Sequence, residues 1–197
     1  SLDRHLTRNS KSILGADISI SSRMPVPPET LNQLEQILPS PWESSKKINF
    51  ITMAGNKLNS RLNQLVAIEK GYPYYGKLVL GNKKDANAKM VEEELINAGK
   101  IWVYRELLIT LGLEIGDRLK LGELDFTIGD IVLEDPSSSF STFGVAPRVY
   151  IGLPQVRKTG LLTQKSRINY DNLYKLSDYQ EIQKLEDELE NKIKIIG

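Results

Sequence analysis

The sequence predicts an α+β fold with two lobes, and three observations carry that expectation. Strand-like and helix-like runs alternate as β-α-β near both ends of the chain. Between them, residues 109–132, "ITLGLEIGDRLKLGELDFTIGDIV", are cut by glycine four times, so this stretch holds only small elements. Apolar residues make up 40% and charged residues 26%, enough for a core under a solvated surface.

The elements follow in order. Residues 1–14 read as a polar helix whose apolar stripe (Leu2, Leu6, Ile13, Leu14) is too thin to hold it to a core, and Gly15 stops it. Ile18 and Ile20 alternate with serines as in a half-buried strand. Pro27 or Pro28 opens a helix with Leu31, Leu34, Ile37 and Leu38 on one face, closed by Pro39 and Pro41. "KKINFITMAG" and "RLNQLVAIEKG" are strands joined by a hairpin turn in "GNKLNS". "KLVLG" is a strand, "MVEEELINAG" a helix and "KIWV" a short strand. "YRELLITLG" is a helix with Gly112 as its left-handed C-cap, and "LEIGD" is a tight turn. "RLKLG" and "DFTIGDIVLED" form a hairpin, with Gly129 marking a bulge or bend. "PSSSFSTFGVA" is a loop, "PRVYIGL" a strand, "PQVRKTGLL" a helical turn and "SRINYDNLYKL" a strand. Ser177 and Gln180 match a capping box for a helix carrying Tyr179, Ile182, Leu185, Leu189 and Ile193, and "IKII" reads as a last strand.

Composition removes several functions. A formal net charge of +1 argues against a protein that tracks nucleic-acid phosphates. With no cysteine there is no disulfide framework, thiol nucleophile or Cys-based zinc site. No apolar run approaches the roughly 18 residues that span a bilayer. The single histidine, His5, reads as an exposed bystander, and no G-x-S-x-G, H-E-x-x-H, phosphate loop or dinucleotide fingerprint occurs. Glu92–Glu93–Glu94 and Glu186–Asp187–Glu188 read as solvated helix faces, and Asp117 as a turn residue capping local N–H groups. No catalytic residue, metal site or cofactor is expected.

Two aromatic groups remain as candidate binding residues. Tyr72, Tyr74 and Tyr75 form either a recognition patch or a part-buried junction between lobes. Phe140 and Phe143 sit among serines, either exposed for a partner or tucked onto the fold.

Several stretches, in order, resemble one family. "SLDRHLTRNSKSILGADISISSR" is similar to the segment that leaves the first membrane helix in permeases of MacB/FtsX/LolC-type ABC transporters. "YPYYGKLVL", "IWVYRELLITLGLEIGDRLKLGELDFTIGDIVLEDP" and "FGVAPRVYIGLPQVRKTGLL" resemble later parts of the same extracytoplasmic domain, in the YbbP-like branch. The resemblance implies a porter-like β-α-β lobe from residues 16–75 and 147–197, an inserted small α/β lobe from 76–146, and the end of a membrane-exit helix over 1–15. It implies an excised periplasmic domain of an inner-membrane protein. That domain would be non-catalytic, coupling ATP-driven helix motion to the handling of a hydrophobic cargo (lipid, lipoprotein or amphiphile) by mechanotransmission. The implied partners are a cognate ATP-binding subunit, the second extracytoplasmic domain of the permease and a periplasmic esterase. The alternative is a free-standing lipid- or peptide-binding module.

Overall fold

The computed structural model describes residues 5–6, 11–82, 84–137, 146–177 and 181–196, with backbone alone at 5–6 and 12–13. The architecture is α+β. Ten strands form one sheet: β1 (His5–Leu6), β2 (Ile18–Ser22), β3 (Trp42–Gly55), β4 (Ser60–Ile68), β5 (Val79–Leu80), β6 (Ile101–Tyr104), β7 (Arg118–Leu121), β8 (Leu124–Glu134), β9 (Arg148–Gly152) and β10 (Asn169–Leu176). Their spatial order is β1-β2-β10-β3-β4-β9-β6-β8-β5, and β7 bridges β8 to β3. That bridge closes β3, β4, β9, β6, β8 and β7 into a ring, because Ala54 and Gly55 pair with Leu121 and Lys120.

Alternation along each ring strand explains why the ring has a filled interior. Ile48, Phe50 and Ala54 of β3 share one buried cluster with Leu65 and Ala67 of β4. Val149 and Ile151 of β9, Ile101 and Val103 of β6, Leu119 and Leu121 of β7, and Phe126 and Ile128 of β8 complete it. Fully burying each Val, Leu, Ile or Phe among them is worth roughly 1.5–3 kcal/mol. Gly129 is the bulge expected from its broken alternation: Ile101 pairs with Ile128 and Trp102 with Asp130, so the glycine has no partner across β6.

Among the described residues six helical pieces accompany the sheet: α1 (Lys11–Leu14), α2 (Pro28–Glu35), α3 (Ala88–Met90, continuing as a π-helical stretch over Val91–Asn97), α4 (Arg105–Leu111), α5 (Leu153–Val156) and α6 (Ile182–Ile196). The α4 terminus is built as its sequence predicts. Gly112 adopts φ 65°, and Leu113 N–H donates to the Leu108 carbonyl at 3.0 Å. Leu34 of α2, Leu38 just beyond it, and Leu185 and Leu189 of α6 pack against Ile18, Ile20, Tyr174 and Leu176.

Three expectations change. The segment at 1–14 is not one helix: His5–Leu6 pairs antiparallel with Ser21 and Ile20, whose edge offers backbone partners that a thin apolar stripe cannot replace. "IKII" is no strand. Helix α6 runs on to Ile196 because Ile193 and Ile196 continue its apolar face. The acidic runs are not wholly solvated, since Glu94 accepts from Trp102 Nε1 at 2.9 Å and Glu186 is buried. The strands of 76–146 join the sheet of 16–75 and 147–197 through β6–β9 and β3–β7. Gln180 and Tyr179 lie outside the described residues.

Candidate functional site

Strands β8 and β9 both flank β6, so the segment between them begins and ends two strands apart, about 9–10 Å. Asp135 closes the first flank and Arg148 opens the second. Arg148 Nη1 lies 2.9 Å from Asp135 Oδ2, and both side chains are buried. Two phenols complete the same oxygen: Tyr104 of the intervening β6 donates at 2.8 Å, and Tyr150 of β9 makes a short bond. The other carboxylate oxygen accepts the Ser137 N–H at 2.9 Å and its hydroxyl at 2.6 Å. Arg148 also donates from Nε to Gln64 at 3.0 Å, from Nη1 to Ser137 Oγ and from Nη2 to the Ser137 carbonyl at 3.2 Å. Every strong group in this buried clamp has a partner, the condition under which a buried ion pair is tolerated.

Charge states are fixed by these contacts. Burial alone raises the Asp135 carboxyl, but Arg148 and the bonds from Ser137, Tyr150 and Tyr104 outweigh it and hold it below its ordinary range. Burial and the neighbouring Asp135 push Tyr104 up, and burial with the charges around it raises Tyr150 well above a normal phenol. Burial works against the Arg148 guanidinium, yet the surrounding oxygens raise it further. These shifts carry the titration of each group away from neutral pH, leaving Asp135 and Arg148 charged and both phenols protonated. Such an arrangement holds charge in place, whereas a general acid or base needs a value near the working pH.

A second knot surrounds Asp17, just beyond α1. Its buried carboxylate pairs with Lys11 at 2.7 Å and accepts the Tyr75 hydroxyl and the Leu176 N–H, each at 2.8 Å. The Asp17 N–H donates to Tyr174 of β10 at 2.9 Å. Burial raises this carboxyl, but Lys11, Leu176 and Tyr75 together lower it, while burial and Asp17 lift Tyr75 to about 12. Three segments meet here: the chain leading into β2, the tyrosine segment after β4, and the end of β10.

The candidate tyrosines are therefore brought together. Tyr72 is buried, and its Cε2 lies 2.9 Å from where a Cβ on Gly15 would sit. The Tyr74 N–H donates to the Gly15 carbonyl at 2.8 Å. Tyr72 also reaches the clamp, 3.5 Å from Ser137 Oγ, and its ring lies 4.9 Å from Lys47 Nζ. Lys47 in turn meets Asp171 at 3.6 Å, and Asp171 accepts from Ser21 at 2.6 Å. A polar chain thus links β2, β10, β3 and the clamp. Phe140 and Phe143 lie outside the described residues. Asp117 caps its turn as expected, accepting the Glu114 N–H at 2.8 Å.

Sequence reasoning did not single out Asp17, Asp135, Arg148, Tyr104 or Tyr150. One signal was present: Arg148 opens the otherwise apolar run "RVYIG", and a charge at a buried strand position demands a partner.

No family model matches the sequence. The chain is 25% identical over 169 residues to the uncharacterized ABC transporter permease YbbP of Escherichia coli (strain K12). That alignment covers 86% of this chain and 20% of the relative, so the chain spans one fifth of that protein's length. Its fold is similar to the extracellular domain of the noncanonic ABC-type transporter YknZ from Gram-positive bacteria. There the TM-score is 0.53 at 12% identity, covering 81% of this chain and 78% of the other. It is equally similar to the periplasmic region of MacB from Actinobacillus actinomycetemcomitans, with TM-score 0.53 at 15% identity over 85% and 72% of the two chains. In sequence, then, this chain is similar to one fifth of an ABC transporter permease, and in fold it is similar to the extracellular and periplasmic domains of two ABC-type transporters.

Proposed function

We propose that this chain is the non-catalytic, extracytoplasmic part of an ABC permease, relaying ATP-driven movement of membrane helices to a hydrophobic cargo outside the membrane. The observation that carries the reading is the Asp17 knot. Movement arriving along the chain that leads into β2 reaches a buried carboxylate tied to the tyrosine segment and to β10. Force applied there passes into the sheet instead of being lost in a loose connection. The closed ring beyond it gives that force a stiff body to move. Coupling of this kind needs packed elements with discrete arrangements, not a soft linker.

An ATP-binding subunit, the second extracytoplasmic domain, a periplasmic esterase and an amphiphilic cargo are the partners of this reading. Phe140 and Phe143, between the flanks held by Asp135 and Arg148, are its candidate contact residues.

The test is Asp17→Asn in the complete permease reconstituted with its ATP-binding subunit. The amide keeps the shape but loses the charge that Lys11 and Tyr75 address. ATP hydrolysis is expected to continue while transport falls. Unchanged transport per ATP, in a variant whose fold is intact by thermal melting, would exclude the knot as the coupling point.

A further inference from the structure

One surface feature belongs to neither knot. An open groove of about 570 Å³ runs beside α4, lined by Arg105, Leu108, Ile109, Gly112, Ile115 and Ile131. Its volume lies within the roughly 300–1,000 Å³ of small-molecule sites. Ile109 is 72% exposed and Ile115 52%, although the buried stripe of α4 is already supplied by Leu107, Leu108 and Leu111. Those two isoleucines are surplus to the core, and they stand together over one concavity. Gly112, on its lining, is open: a Cβ added there meets nothing within 4 Å.

Charge gives the groove a direction. Arg105 is exposed, and its guanidinium has no ion-pair partner among the described residues. Glu114 lines the same groove beyond Gly112, past the C-terminal end of α4, whereas Arg105 opens the helix at the other end. An anionic group is drawn to the Arg105 end and repelled from the other. Among the described residues no aromatic ring lines the groove, so its walls suit a flexible aliphatic chain better than a planar ligand.

We propose that this groove binds the aliphatic tail of an anionic single-chain amphiphile, with the head group paired to Arg105. The chemistry is read from the groove alone; the idea that such a molecule is cargo rests on the function proposed above.

The experiment is amide-resolved NMR titration of this chain with dodecyl phosphate and, separately, dodecyltrimethylammonium, each below the concentration at which it forms micelles. Dodecyl phosphate is expected to shift the amides of residues 105–116 and 131 saturably, binding roughly tenfold more tightly than the cation. Arg105→Glu, at an exposed position, is expected to reverse that order. Gly112→Asn, whose residue tolerates the left-handed backbone, adds bulk to the lining and is expected to weaken both probes. Absence of saturable shifts, or equal binding of the two probes that ignores Arg105→Glu, overturns the proposal. Concentration-dependent self-association removed by Arg105→Glu would assign the groove to a second copy and overturn it as well. Because the titration needs neither membrane nor nucleotide, its failure leaves the Asp17 coupling test untouched, and the reverse holds too.

Discussion

Asp135 and Arg148 meet across β6, 2.9 Å apart and buried, so that two strands with no direct pairing are held by one ion pair. The contact spans the segment in which Phe140 and Phe143 lie. Fixing its two ends removes conformational freedom that a partner would otherwise have to remove on binding.

The clamp is therefore expected to be costly to break from one side. Arg148→Met leaves the Asp135 carboxylate buried with only neutral donors and should lower unfolding stability by about 3–5 kcal/mol. The pair Asp135→Asn with Arg148→Met should recover part of that loss, because no charge then lacks its counterpart. Urea unfolding of the two variants and the parent checks both statements. A single variant as stable as the parent would mean that the clamp contributes little.

Acid should weaken the fold through the same carboxylates. Asp17 and Asp135 both have native values below the ordinary 3.8. Their contribution is complete above that value and is lost as pH falls below it through the lowered native values. Stability of the parent should decline across that range, and Asp135→Asn should flatten the decline. On the alkaline side the raised phenols Tyr104 and Tyr150 stabilise the fold below pH 10, the ordinary phenol value, and that contribution is lost as pH rises above it. Equilibrium unfolding at a series of pH values reads both limbs.

Glycines divide into those needed for backbone conformation and those needed for room. A Cβ on Gly152 would lie 2.4 Å from the Leu95 carbonyl oxygen in the π-helical stretch, so Gly152→Ala must push β9 and α3 apart. A loss of about 1–3 kcal/mol is expected, as for other overpacked cores. Gly112→Ala meets open space and carries only the left-handed penalty, about 1–2 kcal/mol. Thermal melting of the two variants against the parent checks both values. Equal, negligible effects of both would refute the close approach at Gly152.

Local signals carried much of this fold. Gly112 as a helix cap, Gly129 as a bulge and the alternation of Leu119 and Leu121 each follow from rules that operate within a few residues, and the structure agrees. The ring closure did not show, because the two rungs joining Ala54–Gly55 to Leu121–Lys120 connect residues more than 60 positions apart and leave no periodic trace. The same holds for the clamp: Asp135 and Gln64 become neighbours of Arg148 only after β4, β6 and β9 assemble. The pairing of His5–Leu6 with β2 was hidden by residues that fit a helix equally well, and the sheet edge decided the matter. The candidate tyrosines were legible as a group, but which ring packs under Gly15 and which bonds Asp17 depends on contacts between distant segments.

The central claim is that the domain moves as one stiff body when nucleotide acts on the other side of the membrane. This chain contains no cysteine, so no native thiol within it competes with an introduced label. Leu58, 88% exposed at the β3–β4 turn, and Lys175, exposed near the end of β10 that pairs with Trp42 of β3, mark opposite ends of the sheet. Pulsed electron-spin distance measurement between labels at these two positions, in the complete permease with and without ATP, is the direct test. An unchanged distance between Leu58 and Lys175, together with a nucleotide-dependent distance from Leu58 to a label in the membrane part, is the predicted result. A Leu58–Lys175 distance that shifts with nucleotide would contradict a rigid relay.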